Sequence, residues 1–308
     1  MLNPRRICIH LCLYLVIIIT LFRPLYASET ATIRSEELTV QFEEPLRNAA
    51  KEIADVYPYV KAELEQVFGP EPVFRPTVVI IKDEKAFQKM TGSKIITAFA
   101  VPQKNLIVID SSKMSRHLFS TKVTLKHELC HLFLHYYVKE KKLPKWLNEG
   151  ISQWVSGGIA EIMTGDNRDL LKQAALSGRF ISLRDLSETF PANEKYLVLA
   201  YEQSRSIVEY IDKEFGTAAI LEILDHIGEG NDIDTSVQRA LAISAEELEN
   251  RWHGYLRKKT TWFTYLSNNL YTILFSLAGV LTFYGFVRLL IRKRAYRDED
   301  QEDSTNSS

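Results

Sequence analysis

The period of the apolar positions changes once along this chain, from strand-like to helical, and two long apolar runs flank the whole. Leu38, Val40 and Phe42 alternate with polar neighbours, as in a short half-buried strand. Leu46, Ile53, Val60 and Val67 then recur every seven residues, with Tyr57 and Leu64 between them. That stripe predicts one long helix, kinked at Pro58 and ended by Gly69-Pro70. PTVVIIK (76–82) is an unbroken β-branched run and predicts a buried strand. AFAVPQKNLIVID (98–110) predicts two strands around a turn. From Ser120 onward the spacing is helical. Ser120 or Thr121 can cap a helix through Val138 that carries Val123, Leu125, Leu129, Leu132 and Phe133. Pro144 starts a second helix, KWLNEGISQWV, and others are predicted at about 161–177, 195–215, 217–227 and 244–259. A mixed sheet followed by helices makes this an α+β domain.

The flanking runs set where that domain resides. The first 28 residues carry Arg5 and Arg6, an apolar run from about Ile7 to Phe22, and a small residue at Ala27. This is the order of a secretory signal cleaved after Ala27, with an uncleaved N-terminal anchor as the alternative. YTILFSLAGVLTFYGFVRLLI (271–291) is long enough to cross a bilayer as a helix, and Trp262, Phe263 and Tyr265 precede it as an interfacial belt would. Arg288, Arg292, Lys293, Arg294 and Arg297 favour a cytoplasmic tail. Arg257, Lys258 and Lys259 on the other side weaken that charge bias, and the export signal decides the orientation. The expected division is a signal over 1–27, an extracytoplasmic domain over 28–261, an aromatic flank and transmembrane helix over 262–291, and a cytoplasmic tail over 292–308.

A net charge of −1 implies no nucleic acid or other polyanionic partner. Cys8 and Cys12 fall within the signal, so Cys130 is the single cysteine of the exported domain. The domain therefore has no internal disulfide and depends on its core, with or without a metal.

The candidate chemistry lies in HELCH (127–131). Residues four apart on a helix share a face, so His127 and His131 can both turn a ring nitrogen to one metal ion. Glu128 lies one step round, within reach of a water but off the ligand face, and can act as a general base. A catalytic zinc site needs a third protein ligand. Glu149, in PKWLNEGIS, is the candidate if the second helix folds back on the first, and Gly150 beside it would permit close approach of two backbones. An exposed glutamate on an amphipathic helix is the competing reading. His135 continues the line of His127 and His131, but three ligands on one straight helix cannot surround an ion tetrahedrally. Cys130 points substantially away from the histidine face, toward the core.

HELCH followed by WLNEG resembles the glutamate-type zincins, in which HExxH is completed by a glutamate on the next helix. WLNEG is similar to the WxxEG stretch of the aminopeptidase-N-like enzymes. FGPEPVFRPTVVIIKDEKAF ahead of the site and KYLVLAYEQSRSIVEYI behind it look more like the bacterial peptidase MA-like proteins. The likeness extends over about residues 36–258. It implies a thermolysin-like zincin core with a zinc ion on His127, His131 and Glu149, Glu128 as base, and a peptide or protein substrate. Glu149 follows His131 after one residue fewer than in the aminopeptidases, and no segment like their GxMEN is present, so aminopeptidase activity is not implied. Related zincins place a tyrosine or histidine downstream as oxyanion donor. Tyr201 is the candidate here, Tyr196 the second, and a packed tyrosine the alternative for either. The expected protein is a membrane-anchored zinc metallopeptidase. The rival readings are a non-catalytic, membrane-tethered zincin-fold module that binds a protein partner, and a subunit whose metal is purely structural.

Overall fold

A computed structural model of the chain describes residues 30–70, 74–114, 120–158 and 170–305. The signal expected over 1–27 lies outside these residues, as does the first part of the helix expected from 161. The chain divides into two units: residues to 170 together with 181–247, and residues 171–180 together with 248–308.

The first unit is built on a five-stranded sheet. Its strands are β1 (Thr30–Arg34), β2 (Thr39–Glu43), β3 (Thr77–Ile81), β4 (Ala98–Val101) and β5 (Leu106–Asp110), in the order β1-β2-β3-β5-β4. β1 and β4 run antiparallel to their neighbours, whereas β2, β3 and β5 are mutually parallel, so the sheet is mixed. β1 carries no alternating apolar signal in TATIR and was not visible in the pattern. β3 corrects the reading of a strand buried throughout: Val78 and Ile80 are buried while Thr77, Val79 and Ile81 are partly open. A β-branched run satisfies strand propensity on both faces but only one face here is packed.

The helix α1 (Arg47–Phe68) carries Pro58 inside it and buries Ile53, Tyr57, Val60 and Leu64 of the predicted stripe together with Ala50, whereas Val67 is only partly covered and Leu46 falls in the turn before it. A short α2 (Glu84–Thr91), capped by Asp83, follows β3, and a single turn, α3 (Ser111–Met114), follows β5. The helix α4 (Thr121–Tyr137) starts where Ser120 Oγ accepts a hydrogen bond from the Val123 amide. Eight consecutive residues of α4, His127 to Leu134, are buried. Such a helix is enclosed on all sides, here by α1, β4 and the next helix. Lys122 and Lys126 of α4 both reach Glu63 of α1, at 2.6 and 2.9 Å, and these hydrogen bonds hold the Glu63 carboxyl below its ordinary range.

After α4 the chain reverses through two consecutive left-handed residues, Lys139 and Glu140 (φ 53° and 61°). It re-enters as α5 (Lys145–Ser156), ended by Gly157 at φ 75°. Trp146, Leu147 and Ile151 anchor α5 in the core. The helices α7 (Leu183–Glu188), α8 (Glu194–Phe215), α9 (Thr217–Gly228) and α10 (Ile233–Leu241) follow in this unit, after α6 (Leu170–Ser177), which belongs to the second. Of these, α8 packs along α5 most extensively.

In the second unit, α11 (Ala245–Asn268) buries Leu248 and Trp252, and Phe180 stacks on His253 with ring centroids 3.9 Å apart. The last helix, α12 (Leu270–Thr305), contains a 21-residue stretch, Leu270–Leu290, with mean hydropathy 1.9 and none of it buried. It is long and apolar enough to cross a bilayer.

Candidate metal centre

The centre forms where α4 and α5 face each other. His127 Nε2 and His131 Nε2 are 3.2 Å apart, and Glu149 Oε2 lies 3.6 Å from each. A tetrahedral ion bound at about 2.0–2.1 Å keeps its ligand atoms about 3.3–3.4 Å from one another, so this triangle has the size such an ion needs. All three residues are buried, and the candidate ligand atoms of the group lie within 4.8 Å of one another. Among the described residues the two histidines are the only ion-pair partners of Glu149, and its Oε2 makes no hydrogen bond. A buried carboxylate without a cation is costly, and a divalent ion between the three side chains removes that cost. The group therefore fits a metal ion, and the imidazole–imidazole–carboxylate donor set suits zinc.

The polar support comes from α5. His131 Nδ1 is 2.9 Å from Asn148 Oδ1 and 3.2 Å from Ser152 Oγ. An amide oxygen only accepts, so Nδ1 carries the proton and donates it to Asn148, which leaves the Nε2 lone pair facing the centre. Asn148 and Ser152 are four apart and share the helix face that presents Glu149 to α4. Neither was legible as a site residue. The signal available was their i, i+4 spacing around Glu149, which has meaning only once the partner helix is known.

The profile of the Peptidase MA superfamily matches residues 75–258, more than half of the chain. The chain belongs to the Peptidase MA superfamily. Among solved structures similar to this Peptidase MA chain is an M1 zinc metallopeptidase from Deinococcus radiodurans, at 16% identity over 72% of this chain and 50% of that one, with a TM-score of 0.40. A mutant of that metallopeptidase is similar at 14% identity over 72% and 51% of the two chains, with a TM-score of 0.37. The chain thus spans about half the length of those enzymes. None of the curated proteins is significantly similar to it.

Within this Peptidase MA domain the other expected residues fall as follows. Glu128 is fully buried beside His127. Tyr201 lies on α8 and is buried, its ring edge-on to Phe190 at 5.0 Å and its carbonyl accepting a hydrogen bond from Gln153 Nε2. Tyr196 stands exposed at the start of α8. His135 lies outside the cluster, with its ring against Tyr136. Cys130 is a fully buried thiol in the core. Gly150 departs from expectation in its partner: the backbone it approaches is that of α8, not of α4. A Cβ placed there would lie 2.3 Å from the carbonyl oxygen of Ser204 and 2.7 Å from Val208 Cγ2. At the end of α4, burial and then Asp225 push the Tyr137 hydroxyl up to about 12.

Proposed function

We propose that this chain is a membrane-anchored zinc metallopeptidase, and that His127, His131 and Glu149 hold the ion. The observation that carries the reading is the triangle of Nε2, Nε2 and Oε2 atoms at 3.2 and 3.6 Å inside a Peptidase MA domain. A bound zinc ion supplies Lewis acidity toward a peptide carbonyl and toward water. Glu128 removes the proton of the attacking water as the carbon–oxygen bond forms, and returns it to the amine as the carbon–nitrogen bond breaks. Tyr201 donates its hydroxyl hydrogen to the oxygen that gains negative charge. Asn148 and Ser152 keep the His131 ring in one orientation throughout. β4 lies at the sheet edge against α4, and its outer N–H and C=O groups can pair with an extended peptide.

The anchoring follows the division read from the sequence. A signal over 1–27 exports the domain of 28–261, Leu270–Leu290 spans the bilayer, and the tail from 292 stays in the cytoplasm.

Metal analysis of the purified full chain together with peptide turnover tests the reading. One zinc per chain is expected, lost in Glu149→Ala and kept in Glu128→Gln. Turnover in Glu128→Gln should fall by about a hundredfold or more. Well-folded protein that binds no zinc would remove the proposal. Bound zinc with no turnover of any peptide would leave a non-catalytic module.

A further inference from the structure

We infer that Lys145 selects peptides that place a carboxylate beside the metal centre. This rests on the zinc-peptidase reading above. Lys145 is the first residue of α5, one turn before Glu149, and residues so spaced share a helix face about 5–6 Å apart at Cβ. The face it begins continues through Asn148, Glu149 and Ser152, the residues turned toward α4. Lys145 is partly buried, with its ammonium over the Phe190 ring at 4.9 Å from the centroid. Phe190 in turn meets the ring of Tyr201 at 5.0 Å. The neighbouring Lys142 is neutralised by Glu188 at 2.9 Å, whereas Lys145 makes no ion pair among the described residues.

The charge balance points the same way. The carboxylates of Glu128 and Glu149 would offset a divalent ion, and Lys145, one turn before Glu149 on the same helix, then adds a positive charge with no ion-pair partner among the described residues. A partly desolvated cation without a counter-charge attracts an anion more strongly than a solvated one does. In a bound peptide that anion is a carboxylate, from an Asp or Glu side chain or from a free C-terminus. The Phe190 ring faces the ammonium from one side, and the N–H groups turned away from the ring are left for the ligand.

The test uses zinc-loaded full chain and two pairs of peptides. One pair has amidated ends and differs by Glu against Gln near the cleaved bond. The other has no acidic side chain and differs by a free against an amidated C-terminus. The carboxylate member of at least one pair should have a kcat/KM higher by about tenfold, and the pair that responds identifies the source. Lys145→Met keeps an unbranched side chain without the charge and should reduce that ratio to near one, while Lys145→Glu should invert it. Equal rates within both pairs, or a ratio unchanged in Lys145→Met, would overturn the assignment. Should the wild type cleave nothing, the zinc-peptidase reading fails separately, and calorimetry with the same peptides decides on Lys145. Carboxylate-dependent binding lost in Lys145→Met supports it, and equal affinities overturn it.

Discussion

Gly150→Ala is the most stringent test of how Glu149 is positioned. The added Cβ would lie 2.3 Å from the Ser204 carbonyl oxygen, 2.8 Å from its carbon and 2.7 Å from Val208 Cγ2. Two of these three atoms are backbone of α8 and cannot rotate away, so relief to an ordinary contact needs the helices to part by about 1 Å. Overpacking of this kind costs about 1–3 kcal/mol, and the better helix propensity of alanine returns about 1 kcal/mol at most. A net loss of up to about 2 kcal/mol corresponds to a Tm lower by up to roughly 8 °C in a domain of this size. A shift of α5 also displaces Glu149 from its place 3.6 Å from each of two nitrogens, so zinc affinity should fall in the same variant. Thermal scans with and without chelator separate the two effects. Gly150→Ala should melt lower in both conditions, whereas Glu149→Gln should lose stability only where zinc would have contributed it. A Gly150→Ala protein with wild-type Tm and wild-type zinc affinity would refute the close approach of α5 to α8.

Three further outcomes are expected. Asn148→Ala should weaken zinc binding by about 10–100-fold in competition with a chromophoric chelator, and Ser152→Ala by less, because its contact to His131 is longer. Gln203→Ala removes an amide that donates to Ile181 O at 2.8 Å and accepts from Ile181 N at 3.0 Å. The loss should be roughly 2–3 kcal/mol in denaturant unfolding. His253 is pushed down to about 4, first by burial against its neighbours and then by Arg257, with Glu249 opposing from 4.0 Å. The fold holds it neutral while the unfolded chain takes a proton near the ordinary 6.5. Stability should therefore be full above that value and fall as pH drops toward 4, by on the order of 1 kcal/mol once solvent screening is allowed for. A His253→Phe variant, which keeps the stack on Phe180, should lose this slope in a pH series of thermal scans.

What the sequence made legible was whatever repeats along one element. The stripe of α1, the Ser120 cap of α4, the two strands around Pro102–Lys104 and the spacing of HELCH all depend on neighbours a turn or a pleat away, and all are present. Glu149 was legible because WLNEG is a family signature rather than because its spacing demanded a ligand. What stayed hidden depends on a partner from elsewhere. β1 pairs through its backbone with β2, so TATIR needs no apolar face of its own. α10 does carry a helical repeat, Ile233, Val237 and Leu241, but at nine residues it shows that repeat for little more than two turns and was not predicted. The role of Asn148 exists only against His131, and that of Gly150 only against Ser204.

The assignment of Gly150 to α8 changes where control of the centre resides. On the α4 side, α5 presents Asn148, Glu149 and Ser152, of which Asn148 and Ser152 reach His131 and Glu149 meets both histidines. On the α8 side, Gly150 and Gln153 fix its height and rotation, one by the absence of a side chain and the other by a hydrogen bond to the Tyr201 carbonyl. A helix of 12 residues held on both sides has little freedom to tilt. The position of Glu149 is therefore set less by the link from α4, whose residues 139–142 are exposed, than by the depth to which α5 sinks against α8. Substitutions that enlarge Ser204 or Val208 should then be felt at the metal although neither residue is a ligand, whereas a residue inserted at Lys141 should be absorbed by the loop.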